Sequence, residues 1–211
     1  MSQIKQLNKT YDVKIILLGE GGVGKTSLIN VYLDKKFNPS EQKTSEGYLS
    51  LKKIKINNKE LNINLWDTVG QERFRSVTKK FIRGSNIIIF VFDITNRASF
   101  LELKFWVNNV YQELAKEEVI FGVVGNKIDL FDKSEIETTE AEEYAKKIGA
   151  LFTEASAKKS PEDFKNFINI LLNKLVETPH IIEKLAKVEG ESNIQLKESP
   201  KGKKNVVNRF Y

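Results

Sequence analysis

Cysteine is absent from this 211-residue sequence. Disulfides, thiolate nucleophiles and Cys-based zinc sites are excluded with it. So is a prenyl or palmitoyl anchor on any residue of the chain. Histidine occurs once, at His180, beyond all the motifs described below. A hydrolase that uses histidine as its general base is thereby ruled out. No apolar run reaches the roughly eighteen residues that a membrane-spanning helix needs. The N-terminal stretch MSQIKQLNKTYD has no apolar signal core and no glycine after its methionine. An intracellular chain without N-myristoylation is the expectation. The net charge is +6, but no basic stretch is interleaved with aromatic residues as single-strand binders require. The excess lysine reads as a solvated surface, and no nucleic-acid partner is expected.

What is present is an ordinary globular composition, 40% hydrophobic and 29% charged. The length suits one domain with a full core and a tail. Strand-like and helix-like segments alternate. VKIILLG (13–19) reads as a buried strand and KTSLINVYLDKKF opens a helix. YLSLKKIKIN and KELNINLWD are two strands joined at Asn57 and Asn58. NIIIFVFDI (86–94) and VIFGVVGN are apolar throughout, as strands buried on both faces must be. Phe100, Leu103, Val107, Val110, Tyr111 and Leu114 recur at helical spacing. Thr139 with Glu142 has the form of a capping box. LFTEAS is a last short strand. Ser160 then caps a helix with Pro161 at its first position, and the helix carries a stripe of Phe164, Phe167, Ile168, Leu171, Leu172 and Leu175. The pattern predicts an α/β fold: a mostly parallel six-stranded sheet, one antiparallel edge strand, and helices on both faces.

Four motifs each follow a predicted strand. The first, GEGGVGKTS (19–27), fits G-x-x-x-x-G-K-[ST] through Gly19, Gly24, Lys25 and Thr26. The backbone of Gly19, Gly21, Gly22, Val23, Gly24, Lys25, Thr26 and Ser27 can curl around phosphates at a helix N-terminus. Lys25 can reach the β- and γ-phosphates, and the Thr26 hydroxyl can bind Mg²⁺. Alone, this motif also admits ATPases, kinases or a ligand-free Gly-rich turn. The second, WDTVGQERF (66–74), places Asp67 at a strand end, where it can hold a Mg²⁺-bound water. Gly70 can offer an N–H to a γ-phosphate, and Gln71 can orient an attacking water. The third, NKID (126–129), supplies Asp129, a carboxylate able to accept from the N1–H and 2-amino group of guanine. Adenine offers neither donor and would leave that carboxylate unpaired. Asn126 opens the motif, and the stem of Lys127 can cover the base. The fourth, ASAKK, offers the Ala157 N–H to the base oxygen, flanked by Ser156 and Lys158.

Through these motifs, in this order, residues 11–177 resemble the Ras-like small GTPases, and most nearly the Rab branch. ERFRSVTKKFIRGS and IIIFVFDITNRASF are similar to the Rab switch II region and the strand and turn that follow. The resemblance implies a P-loop NTPase G domain over 11–177, an N-terminal extension (1–10), and a helical extension with a flexible basic tail (178–211). It implies GTP or GDP with Mg²⁺ held through Thr26, Thr44 and, by way of water, Asp67. Thr44 falls at the switch I threonine that senses metal and γ-phosphate. Catalysis is expected of Gln71, Lys25 and Thr44, with Phe37 against the guanine edge. Leu49, Trp66 and Phe81 fall where Rabs carry an apolar triad facing effectors; ordinary core packing is the other reading of those three. Exchange factors, GTPase-activating proteins and effectors are the implied partners, and vesicle trafficking the implied process.

The sequence departs from the Rab pattern at Ser45 and Glu46, where Rabs have Ile and Gly, at Tyr48 and Leu49, and at Val69, where Ala is usual. Two readings follow. Intact Thr44, Gly70 and Gln71 favour a hydrolysing switch; Val69 and Glu46 favour a nucleotide-locked adaptor with little turnover. Beyond the domain, IIEKLAKV places Ile181, Ile182, Leu185 and Val188 on one face if it prolongs the last helix by two turns. Residues 179–211 carry six Lys and one Arg against four Glu, a net of +3. Only weak, salt-sensitive membrane attraction is expected of such a tail, so any peripheral endomembrane location would depend on a protein partner or on sequence past Tyr211.

Overall fold

Alternation along β1 (Lys9–Leu18) sets the layering of the molecule. Val13, Ile15 and Leu17 point into one core and Ile16 and Leu18 into the other. The computed structural model describes residues 9–41, 44, 47–68 and 81–188. After β1 come α1 (Lys25–Tyr32), β2 (Tyr48–Ile56), β3 (Lys59–Asp67) and β4 (Ile87–Asp93). Helices α2 (Arg97–Leu101) and α3 (Leu103–Glu113) lead to β5 (Ile120–Asn126). Helix α4 (Thr138–Ile148), β6 (Leu151–Ala155) and α5 (Pro161–Val176) complete the alternating part.

The sheet runs β2-β3-β1-β4-β5-β6, with β2 antiparallel to β3 and the other neighbours along this order parallel. This is the expected doubly wound arrangement. Strands β4 and β5 are buried at all their residues, because helices cover both faces. Helices α1 and α5 cover one face, packing Leu28, Phe164 and Leu171. Helices α3 and α4 cover the other with Trp106, Val110 and Ala145. The β2–β3 turn at Asn57 and Asn58 has φ of 47° and 62°, left-handed values that asparagine tolerates. No described helix is long and apolar enough to cross a membrane.

Three expectations are corrected. Residues 181–188 do not prolong α5. Pro179 lacks an N–H and forces Thr178 into an extended conformation (φ −100°, ψ 97°), so α5 stops at Val176. A one-turn helix α6 (Pro179–Ile182), a 3₁₀ turn and a short strand β7 (Ala186–Val188) follow. Strand β7 runs antiparallel to Lys9–Tyr11, so the sheet gains a seventh strand and a second antiparallel pair. The reason is overhang: β4 pairs with β1 only from Ile15 onward, leaving the first residues of β1 open on that side. Second, the Thr139–Glu142 box is not formed. The helix starts at Thr138, whose hydroxyl instead donates to Glu154 Oε1 at 2.9 Å. Third, Ser160 holds the N-cap position of α5 without a side-chain cap; its hydroxyl accepts from the Ser156 N–H at 3.2 Å.

Candidate functional site

Strands β1, β3, β5 and β6 end on the same side of the sheet, and each of the four motifs begins there, as ligands require of an open α/β sheet. Between β1 and α1 the chain makes a tight loop. Gly19 has φ 152°, and a Cβ there would lie 2.1 Å from the Val91 carbonyl oxygen. Gly24 has φ 96°, and a Cβ there would lie 2.3 Å from Asn126 Nδ2. No other residue type fits either position. Val23 is buried, while Gly21 and Gly22 form the exposed tip. Helix α1 begins at Gly24 with no side-chain cap and no acidic residue in its first turn. Its N-terminal N–H groups and partial positive charge therefore suit an anion.

Lys25 is 5% exposed. Its ammonium donates to the carbonyls of Gly19 at 2.9 Å and Glu20 at 2.8 Å. Burial pushes its pKa down to about 8, against opposing attraction from Asp67 and Glu20. Beside it, the Thr26 hydroxyl lies 2.6 Å from that of Thr44 and donates to Asp67 Oδ2 at 2.7 Å. The Thr44 hydroxyl lies 3.5 Å from the same oxygen. Asp67 Oδ1 is buried with no hydrogen-bond partner. Burial raises the Asp67 pKa, opposed by the Thr26 hydrogen bond, Lys25 and Thr44. Two hydroxyls and a carboxylate with an unsatisfied oxygen fit a hard divalent cation such as Mg²⁺. These three line a cleft of about 580 Å³ that runs toward Tyr48 and Leu49 on β2.

A second cleft, of about 280 Å³, is lined by Gly22, Gly24, Ser27, Phe37, Asn126, Lys127, Asp129, Ser156, Ala157 and Lys158. It unites the residues that the sequence assigned to a base. The Asn126 amide donates to the Val23 carbonyl at 2.8 Å, tying this wall to the phosphate loop. The Ser156 hydroxyl donates to Asp129 Oδ1 at 2.6 Å. It also accepts from the backbone N–H groups of Lys158 at 3.2 Å and Lys159 at 2.9 Å. Ser156 thus orients the carboxylate and folds the loop around it. Lys127 lines the same cleft with a left-handed backbone (φ 70°).

Leu49 and Trp66 are cross-strand partners, and the Trp66 ring lies 5.5 Å from that of Phe81. Trp66 thus adjoins both of the others. Leu49 is 47% exposed, whereas Trp66 and Phe81 are half-buried. Two residues escaped the sequence reading. Thr68, almost fully buried, donates to the Leu17 carbonyl and pins the exit of β3 to β1. Asp93 forms an ion pair with Lys127. A lone Thr or Asp at a strand end gives no signal of its own. Gly70 and Gln71, with Val69, Ser45 and Glu46, lie outside the described residues.

Residues 14–177 match the family model described as Ras family. The chain belongs to the Ras family. Within it, the similarity is to Rab proteins. Ras-related protein Rab-21 of Bos taurus is 39% identical over 184 residues, covering 87% of this chain and 82% of that protein. Ras-related protein SEC4 of Saccharomyces cerevisiae is 38% identical over 192 residues, covering 89% and 87%. Ras-related protein Rab-2B of Dictyostelium discoideum is 36% identical over 172 residues, covering 80% and 85%. This is a Rab-like small GTPase, a hydrolase that binds guanine nucleotides and works through regulators and effectors.

Proposed function

We propose that this Rab-like GTPase is a Mg²⁺-dependent switch in vesicle trafficking, with the two clefts holding opposite ends of one guanine nucleotide. The observation that carries the reading is that the first turn of α1 serves both. Gly24 and Ser27 line the Asp129 cleft, and Thr26 lines the Asp67 cleft. Asp129, steadied by Ser156, accepts from the guanine N1–H and 2-amino group. The Ala157 N–H faces the base oxygen, and Phe37 closes the edge. The loop N–H groups and Lys25 hold the phosphates. Thr26 and Thr44 supply hydroxyl ligands and Asp67 an acceptor for the Mg²⁺ shell. A cation held by these residues would offset charge on the phosphate oxygens. Gln71 orients a water toward the γ-phosphorus; GTP and water become GDP and phosphate. Lys25, already desolvated, stabilises the charge that builds on the phosphate oxygens. An arginine supplied by an activating protein would add about 10³–10⁵ in rate. Leu49, Trp66 and Phe81 form the face offered to effectors when Thr44 is held by the γ-phosphate.

Competition binding with GTP, GDP, ATP and ADP tests the base assignment. Strong preference for the guanine pair is expected, and comparable ATP binding would refute it. Single-turnover hydrolysis separates the switch from a nucleotide-locked adaptor, the reading that Val69 favours. Gln71→Leu should slow hydrolysis with GTP affinity nearly unchanged, since the loss falls on the transition state. Equal, very slow rates for both proteins would establish the adaptor.

A further inference from the structure

Asp93 ends β4 directly beside Asn126, the last residue of β5, and is 7% exposed. Its two oxygens are used separately. Oδ1 accepts from the backbone N–H of Thr95 at 2.9 Å and from its hydroxyl at 2.8 Å, which fixes the carboxylate. Oδ2 pairs with the ammonium of Lys127. Lys127 in turn lines the Asp129 cleft from a left-handed backbone that side chains seldom adopt. A lysine stem is among the most mobile of side chains. Tethered at both ends, this one is held in a single course along the cleft wall.

We propose that Asp93 is a positioning residue for the guanine site. By holding the Lys127 ammonium toward β4, it keeps the apolar stem laid where it covers the base. The proposal rests on reading the 280 Å³ cleft as the base site. Pre-ordering the stem removes a cost that the nucleotide would otherwise meet on binding. It also sets a barrier to release, because the stem can swing away only when the ion pair parts. A purely structural link between β4 and β5 would be felt in folding but not through Lys127.

The test is release of a fluorescent GDP analogue in the presence of Mg²⁺. Asp93→Asn keeps the shape and the acceptor for Thr95 and removes the charge. Release should quicken by about fivefold, the size of a partly exposed ion pair. Wild-type release should rise with salt, and that of the variant much less. In a Lys127→Met background, with an unbranched stem and no ammonium, Asp93→Asn should change release by less than about twofold. Release at the wild-type rate from Asp93→Asn, or the same acceleration in both backgrounds, overturns the positioning role. If Asp93→Asn is misfolded by circular dichroism, Thr95→Val carries the test. It loosens Oδ1 and leaves the charge, so a smaller acceleration is expected, and none overturns the proposal. A wild-type chain that retains no GDP would overturn the base-site reading, and this role with it. That failure shows before any variant is compared.

Discussion

Lys25 combines two demands that burial sets against each other. Its ammonium must stay charged to meet phosphate, yet it sits almost fully out of water above two carbonyls. Desolvation lowers its pKa to about 8, and the partial rescue by Asp67 and Glu20 leaves it there. Free of phosphate, it loses its proton as pH rises through about 8. A bound phosphate favours the ammonium and raises the pKa, so above that pH binding must take up a proton. GDP affinity should therefore be level below pH 8 and fall above it, by up to about tenfold per pH unit. Fluorescence titrations between pH 7 and 9 measure this. Lys25→Met should bind at least about tenfold more weakly and show no such step. A flat wild-type profile would mean that Lys25 keeps its proton through pH 9 in the free protein, and unchanged GDP affinity in Lys25→Met would remove it from the phosphate site.

At the level of elements, the strap formed by α6, the 3₁₀ turn and β7 is the feature that local pattern could not give. Ile181 and Ile182 are buried in the core shared with α5. Lys184 pairs with Glu118, and β7 satisfies the overhang of β1. Truncation after Thr178 should cost about 3 kcal/mol. Each buried isoleucine contributes about 1.5–3 kcal/mol, offset by the entropy regained when the strap is freed. Urea unfolding of GDP-saturated protein measures it, and an unchanged midpoint would make the strap an ornament. Strands β1 to β6 were legible because continuous apolar runs, the Asn57–Asn58 turn and the Gly-rich loop each carry local chemistry. The strap was not, because LAKV has the same residues in a helix or a strand, and its partner lies about 175 residues away at Lys9–Tyr11. The site divides similarly. Lys25, Thr26, Asp67, Asn126 and Asp129 announce themselves within short motifs. Asp93, Thr68 and the orienting part played by Ser156 depend on which strands become neighbours.

For the molecule as a whole, the sheet brings four loops around one helix turn, so its two clefts cannot act independently. Gly24, Lys25, Thr26 and Ser27 occupy consecutive positions at the start of α1, and Asn126 binds the Val23 carbonyl from the base side. A disturbance at the Thr26–Thr44–Asp67 cluster should therefore reach the base. Asp67 is the sensitive point, being a buried carboxylate with an unpartnered oxygen in the cleft it lines with Thr26 and Thr44. With a divalent cation between them, carboxylate and phosphates attract a common charge. Without it, they repel across a poorly solvated gap, where unit charges near 4 Å interact by a few kcal/mol, about 4 at an intermediate dielectric. EDTA should accelerate GDP release at least about tenfold, and Mg²⁺ should restore the slow rate. Asp67→Asn removes both the cation's acceptor and the repulsion. That variant should release GDP faster than the wild type with Mg²⁺ but more slowly than the wild type in EDTA, and respond little to EDTA itself, while guanine preference over adenine survives because Asp129 and Ser156 are untouched. Stopped-flow displacement of fluorescent GDP reads all three outcomes. A wild-type release rate indifferent to EDTA would mean that the two hydroxyls and Asp67 hold no cation in the loaded protein, and that the nucleotide is secured by Lys25 and the loop alone.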